Sequence, residues 1–113
     1  MHATVTRLSF QSDEGVEAAE AALRRIIDGL PATLGVRDCY VVETAARELV
    51  LFTAYDSEAE ADAASASMRP MIAAAVGPLV VGTPSRSEGR VVVRRGFEGA
   101  PQAWLVSNPE DDR

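Results

Sequence analysis

The chain has 113 residues, of which 47% are hydrophobic and 25% charged, a composition typical of one globular domain. This excludes an intrinsically disordered or collagen-like chain, and the single cysteine, Cys39, excludes an intrachain disulfide. The net charge of −6 argues against nucleic acid as a partner, because acidic domains repel phosphate backbones.

The first 31 residues predict a strand followed by a helix. Val5–Phe10 alternates apolar and polar residues, as a strand does. Residues 12–15 (SDEG) break this pattern and place acidic side chains where the dipole of a starting helix favours them. Gly29 and Pro31 mark the end of the helix. Its apolar stripe has the spacing of one helix face: Val16, Ala19, Leu23, Ile26, Ile27 and Leu30.

A hairpin and a second helix follow. Residues 36–44 and 48–55 read as strands, and the short link between them predicts an antiparallel pair. Ser57 and Glu60 have the spacing of a helix capping box, so a helix is predicted from there to Val76. Pro70 should kink or split this helix, because proline lacks the backbone N–H that a helix interior requires.

The last third of the chain shows weaker patterns. Residues 79–82 suit a short strand or an extended connection, residues 83–89 are rich in turn-forming residues, and residues 90–95 (RVVVRR) predict a fourth strand. We expect one domain over residues 1–95 and a polar C-terminal tail over residues 96–113, of which Trp104–Val106 could dock on the domain.

No apolar run reaches the roughly 18 residues of a membrane span. The segment MHATVTRLSF also lacks the long apolar region of a signal peptide. We therefore expect a cytoplasmic protein with no membrane partner. No cysteine–histidine cluster with zinc spacing occurs in the sequence, so no metal site is predicted.

The order β-α-β-β-α-β is typical of the ferredoxin-like α+β fold, an antiparallel sheet with two helices on one face. The strands, however, are apolar on both faces: Leu49, Leu51, Thr53 and Tyr55 alternate with Val50, Phe52 and Ala54, and Val91 and Val93 with Val92. Two helices can cover only one face. A second copy would cover the other, which predicts a homodimer whose two sheets form a dimeric α+β barrel. The alternative cover is the C-terminal tail.

The element order, together with the segments LPATLGVRDCYVVET (30–44), ELVLFTAYDS (48–57) and GPLVVGTPSRSEGRVVV (77–93), resembles the antibiotic biosynthesis monooxygenase (ABM)-like family of dimeric α+β barrels. The resemblance covers about residues 1–95. It implies a pocket for a small organic molecule between sheet and helices of each subunit. Family members include cofactor-free oxygenases of aromatic polyketides, haem-degrading oxygenases and small proteins without known activity.

The family's haem-degrading members carry an Asn on the first strand and a Trp and a His around the second helix. This chain has His2 and Trp104 instead, neither at those positions, so we expect neither haem degradation nor any other cofactor. The cofactor-free members position an aromatic substrate with side chains from the sheet and the second helix. By that analogy the candidate ligand-binding residues here are Arg7, Tyr40, Thr53, Tyr55, Met68 and Arg69.

Each candidate also has a plainer interpretation. Met68 lies on the apolar helix stripe, both tyrosines suit packing, and Arg7 could face the dimer seam instead of a pocket. His2 is interpreted as solvated, and Cys39 as a small buried hydrophobe. The arginines around residues 86–95 would pair with the acidic helices, stay in solvent or bind an anion. No catalytic residue is predicted.

A cyclase or isomerase on the same scaffold would need an acid–base group in the pocket, and Glu43 is the only strand carboxylate placed for that role. Two further functions stay open. One is a cofactor-independent monooxygenase acting on a small aromatic or apolar molecule, and the other is a non-enzymatic dimeric module that binds a ligand or has a structural role. A ligand-binding protein should have a cavity that solvent can reach, with Tyr or Arg side chains lining it. A module that only packs should have none.

Overall fold

The computed structural model describes residues 1–95 of the chain. Two short 3-10 turns, Ala32–Leu34 and Gly77–Leu79, join longer elements. These elements are β1 (His2–Ser9), α1 (Asp13–Asp28), β2 (Val36–Ala45), β3 (Glu48–Tyr55), α2 (Glu58–Val76) and β4 (Ser85–Arg90). The order confirms the predicted ferredoxin-like α+β fold.

The four strands form one antiparallel sheet in the order β2-β3-β1-β4. Because β1 pairs with both β3 and β4, Thr4 lies opposite Thr53 on one side and Glu88 on the other. Directly paired residues project to the same face of a sheet. The register therefore brings residues from three strands together beneath the helices.

Helix α1 begins and ends as its sequence predicts. The Ser12 hydroxyl accepts a hydrogen bond from the Gly15 amide at 3.0 Å, and the Gly29 amide donates to the Arg25 and Ile26 carbonyls. Such contacts satisfy backbone groups that have no partner within the helix. The predicted stripe is buried at Val16, Ala19 and Leu23, which pack with the sheet in one core cluster. The cluster also contains Leu8, Phe10, Ala22, Leu49 and Val76.

Helix α2 runs through Pro70 without a break, so of the two predicted effects, a kink or a split, the split is wrong. Pro70 and Ala66, one turn earlier, are both exposed. Proline removes the hydrogen bond to the Ala66 carbonyl, and on the solvent side of the helix that carbonyl can bond water instead. The predicted N-terminal cap is confirmed, since the Ser57 hydroxyl accepts from the Glu60 amide at 3.2 Å.

The fourth strand, β4, is Ser85–Arg90, so the predicted strand at residues 90–95 is wrong except at Arg90. The rest of β4 lies in the segment predicted as turns. The position of β4 follows from its pairing with β1, in which Arg90 lies opposite His2. The Val91 amide still donates to the Met1 carbonyl at 2.9 Å, but Val92 and Val93 pair with no residue of β1. Val92 and Val93 are accordingly 77% and 85% exposed. Residues 79–82 contribute only an isolated bridge between Val80 and Phe10.

The face of the sheet opposite the helices, here called the open face, remains apolar. It carries Val5 on β1, Tyr40 and Val42 on β2, and Val50 and Phe52 on β3. Tyr40 and Val42 are 56% and 48% exposed. The alternation predicted for β3 is confirmed. Val91, Val92 and Val93 were predicted to add apolar residues to both faces of the sheet. They lie outside β4 and do not.

The predicted tail, residues 96–113 with Trp104–Val106, lies outside the described residues. Within residues 1–95, neither α1 nor α2 combines the length and the apolar character that a membrane-crossing helix needs.

Candidate functional site

A cavity of about 420 Å³ lies between the sheet and α2, on the helix-covered face. Small-molecule sites in proteins have typical volumes of roughly 300–1,000 Å³. Its apolar lining comes from β1, β3, α2 and the connection after α2: Leu8, Leu51, Met68, Ile72, Val76 and Val80. The space is large enough, and apolar enough, for a small organic molecule.

The polar lining follows from strand alternation. On β1, Thr4 and Thr6 project toward the helices, as do Thr53 and Tyr55 on β3. Successive side chains of a strand point to opposite faces, so the residues of these two strands that line the cavity are two positions apart. Ser65, Arg69 and Arg86 add polar groups from α2 and β4.

The structure brings four of the six predicted ligand-binding residues to this cavity: Thr53, Tyr55, Met68 and Arg69. Met68 is 4% exposed and also belongs to the core cluster beneath α2. It therefore packs in the core and lines the cavity at the same time.

Arg7 and Tyr40 do not line the cavity, which corrects their predicted placement. Both lie on the open face, because each is one residue out of phase with the cavity-lining positions of the sheet. The Tyr40 ring packs near Phe52 with centroids 6.0 Å apart. Arg7 Nη1 donates to Glu48 Oε1 at 2.9 Å. The alternative placement of Arg7, at the dimer seam, agrees with this position.

Cys39 lies beside Thr53 and does not line the cavity. Its sulfur is 3.8 Å from the Thr53 hydroxyl oxygen. Burial raises the pKa of the Cys39 thiol, and the hydrogen bond with Thr53 opposes that shift more weakly. A raised pKa keeps the sulfur as a thiol near neutral pH, which favours the interpretation of Cys39 as a small hydrophobe.

A polar chain that sequence reasoning missed joins β1, β4 and α2 at the edge of the cavity. His2 Nε2 donates to Glu88 Oε1 at 2.9 Å, and Arg86 donates to Glu88 Oε2 at 2.8 Å and to the Ser65 hydroxyl at 3.3 Å. His2 is only 9% exposed, so its interpretation as solvated is wrong. Arg86 and Glu88 are two positions apart, as residues on one face of a strand are. The prediction placed the strand at the valines that follow, so it did not bring these two side chains together.

His2, Glu88 and Glu58 have ligand atoms within 4.8 Å of one another, a spacing at which side chains could hold a divalent cation. Both oxygens of Glu88 already accept hydrogen bonds, from His2 and from Arg86. The cluster is therefore satisfied by its protein neighbours, and Glu58 is exposed.

Glu88 also gives a test of this polar chain. The His2 hydrogen bond, and after it Arg86, lowers the pKa of the Glu88 carboxyl below 4.5. A lowered pKa in the folded state means that ionised Glu88 stabilises the fold above the unfolded-state pKa. That contribution is lost as the pH falls through the folded-state pKa. An NMR titration should place the Glu88 midpoint below 4.5, and His2→Ala should raise it.

Arg25→Gln on α1 serves as the control, since Arg25 belongs to neither the polar chain nor the cavity lining. It should leave the Glu88 midpoint unchanged. A midpoint at or above 4.5 in the unchanged protein would contradict the hydrogen-bonding arrangement.

A second depression, of about 360 Å³, lies between α1 and the β2–β3 hairpin. Four of its seven lining residues are charged: Glu20, Arg24, Asp28 and Glu43. The apolar cavity beneath α2 is therefore the better candidate for an organic ligand.

No known protein family and no curated protein matches the sequence. Solved structures do resemble it. Rv0793 from Mycobacterium tuberculosis is 25% identical over 84% of this chain and 98% of its own, with a TM-score of 0.71. A candidate antibiotic biosynthesis monooxygenase from Nitrosomonas europaea is 18% identical over 82% of this chain and all of its own, with a TM-score of 0.63.

A dimeric ferredoxin-like protein from an uncultured marine organism is 12% identical over 86% of this chain and 92% of its own, with a TM-score of 0.65. Each of these likenesses covers more than four fifths of this chain and more than nine tenths of the solved structure. The chain therefore has a ferredoxin-like α+β fold, which it shares with solved proteins that carry the name of antibiotic biosynthesis monooxygenases.

Proposed function

We propose that this protein is a homodimer that binds one small apolar or aromatic molecule in the cavity of each subunit. The observation that carries the proposal is the cavity of about 420 Å³ with its mainly apolar lining and a few polar groups. Binding sites for small molecules have this composition, since apolar surface supplies affinity and a few polar groups fix orientation.

The hydroxyl groups of the sheet would orient the bound molecule. Thr53 and Tyr55 are each 2% exposed and lie side by side along β3 on the cavity side. A hydroxyl can donate to a ligand oxygen or accept from a ligand hydroxyl. A phenol or a carbonyl compound would therefore find a partner at the sheet, with its apolar part against Met68 and Ile72 of α2.

The open face supports the dimer. Phe52 lies at the middle of this face, between Val5 of β1 and Tyr40 of β2. A contiguous exposed apolar face on a small protein is typical of an interface, and a two-fold pair would bury the same face of both copies. Arg7, Glu48 and Thr44 would form a polar rim, since both Arg7 and Thr44 donate to Glu48. The similarly folded marine protein is itself dimeric.

We further propose that the protein is cytoplasmic and that it binds neither nucleic acid nor membranes. The net charge of −6 argues against nucleic acid, because the field of an acidic protein opposes phosphate backbones.

If the protein is an enzyme, we propose that it oxygenates the bound molecule without a cofactor. Similarly folded proteins carry the name of antibiotic biosynthesis monooxygenases. Among the cavity-lining residues in the described part of the chain there is no carboxylate, histidine or cysteine. The lining can position an electron-rich phenol and stabilise its anion with hydroxyl and guanidinium groups. It supplies no general base, which favours the alternative, a non-enzymatic binding module.

Native mass spectrometry of the purified protein is the first test. The expected result is a dimer of twice 12.0 kDa with an additional mass in each subunit. A monomer would contradict the homodimer. Oxygen uptake with dihydroxynaphthalene then separates the two forms of the proposal, since a monooxygenase consumes oxygen with this phenol and a binding module only retains it.

Substitution of Ala73 tests the cavity. Ala73 lines it, whereas the adjacent Ala74 does not, because successive helix residues point about 100° apart. Ala73→Phe should fill part of the space and weaken the binding of naphthamide, a neutral aromatic probe, by about tenfold or more. Isothermal titration calorimetry measures the change.

Ala74→Phe is the matched control, with the same added ring at a neighbouring position that is also exposed but does not line the cavity. It should bind naphthamide as the unchanged protein does. Equal affinities in the two variants would show that the probe does not occupy this cavity.

A further inference from the structure

We infer that the cavity selects molecules with a single carboxylate on an apolar body, and that Arg69 and Arg86 bind the carboxylate. This inference rests on the proposed function, since it specifies the chemical class of the molecule that the cavity holds. Two guanidinium groups, those of Arg69 and Arg86, are part of the cavity lining.

Arg86 is held in place before any ligand arrives. One guanidinium nitrogen donates to Glu88 on its own strand, and the other to Ser65 on α2. The side chain thus bridges β4 and α2 at the edge of the cavity and is 32% exposed. A group fixed in this way loses little further entropy when it binds a ligand.

Arg69 follows Ser65 by one helical turn, so the two residues lie on the same face of α2. Because Ser65 contacts the Arg86 guanidinium, Arg69 and Arg86 belong to the same edge of the cavity. Within residues 1–95, no hydrogen bond or ion pair joins Arg69 to another side chain. Arg69 is exposed and shares this unpaired state with Arg24, Arg25 and Arg90, but it alone of these four lines the cavity.

The charges at this edge leave one positive charge unmatched. The lining contains two arginines and no acidic residue in the described part of the chain. Glu88, just outside the lining, balances Arg86. One negative charge on the ligand would balance Arg69, and a planar carboxylate fits the paired donors of a guanidinium.

The apolar lining positions the rest of the molecule. Leu51, Met68 and Ile72 lie along the sheet and α2 sides of the same cavity. A molecule with its carboxylate at Arg69 would place its apolar body against them and its remaining oxygens within reach of Thr53 and Tyr55. Aromatic and aliphatic acids share this chemistry.

Matched acid and amide probes test the inference. We expect calorimetry with the full-length protein at neutral pH to show naphthoate binding about tenfold more tightly than naphthamide, because a hydrogen bond to a charged group is stronger than one to its neutral counterpart. Added salt should weaken the binding of naphthoate and leave naphthamide unchanged. Octanoate and octanamide form the corresponding aliphatic pair.

Arg69→Gln should reduce naphthoate affinity about tenfold while changing naphthamide affinity by less than about twofold. Arg69→Lys, which keeps the charge and loses the paired donors, should give an intermediate affinity. Arg25→Gln, an exposed arginine of α1 outside the lining, is the control and should change neither affinity.

The outcomes separate this inference from the proposed function. If the amides bind as tightly as the acids, or if Arg69→Gln weakens both alike, the carboxylate preference is overturned and the apolar binding cavity stands. If none of the four probes binds, the binding function and the carboxylate preference are both overturned.

Discussion

Phe52→Asp is expected to give a monomer of 12.0 kDa, half the mass of the homodimer proposed for the unchanged protein. Phe52 is opposite Val5 on one neighbouring strand and Tyr40 on the other, so it lies at the centre of the open face. In a face-to-face dimer the new carboxylate would be buried against apolar side chains. An uncompensated buried charge costs about 3 kcal/mol or more, so the dimer dissociation constant should rise by about a hundredfold or more.

Size-exclusion chromatography with light scattering measures this change, at several protein concentrations. Ala18→Asp adds the same charge at an exposed position of α1 and is the matched control, expected to remain dimeric. A Phe52→Asp variant that stays dimeric would contradict an interface on the open face and would direct attention to another surface.

Leu23→Ala is expected to reduce the free energy of unfolding by about 2–5 kcal/mol. Leu23 is 1% exposed on α1 and packs in the core cluster with Leu8, Phe10 and Leu49. Truncation removes buried apolar surface and leaves a void that the surrounding strands can fill only in part. Since a small domain has a total stability of about 5–15 kcal/mol, this one change would remove a large share of it.

Urea denaturation followed by circular dichroism gives the measurement. The unchanged protein and the variants must be compared at one protomer concentration, because dimer formation makes stability concentration-dependent. Met71→Ala on α2 is the control, since Met71 is 45% exposed and its truncation should cost less than about 1 kcal/mol. A loss at Leu23 no larger than that at Met71 would contradict the packing of α1 on the sheet.

The polar chain from His2 to Ser65 connects the fold with the candidate site. Glu88 holds both His2 and Arg86, and Arg86 reaches across to α2. The edge strand β4, although all its residues are exposed, therefore supplies an important polar group to the cavity. A strand can matter for a binding site without contributing to the apolar core.

Local sequence determined the helices and the central strands. The stripe of α1, the Ser12 and Ser57 caps and the alternation of β3 depend on residues within a few positions of one another, and each is found where the pattern predicts it. The same alternation predicted that Thr53 and Tyr55 share a face. The apolar character of both faces of β3 indicated an open face.

Other features depend on which elements are neighbours. Arg7 and Tyr40 had the residue types of a binding site, but the register with β3 places them on the open face. Pro70 would interrupt an isolated helix, and α2 continues because that turn is exposed.

The fourth strand shows most clearly which features depend on local sequence and which depend on tertiary structure. Local propensity favoured the valines at 91–93, since β-branched residues fit a pleated surface. In the structure β1 pairs with the polar segment Ser85–Arg90, so this segment and not the valines forms the strand. Sequence by itself determined the helices, the central strands and the doubly apolar sheet, because these depend on local spacing. Only the tertiary structure decided the edge strand, the placement of Arg86 and Glu88, and the composition of the cavity, because these depend on pairing between distant segments.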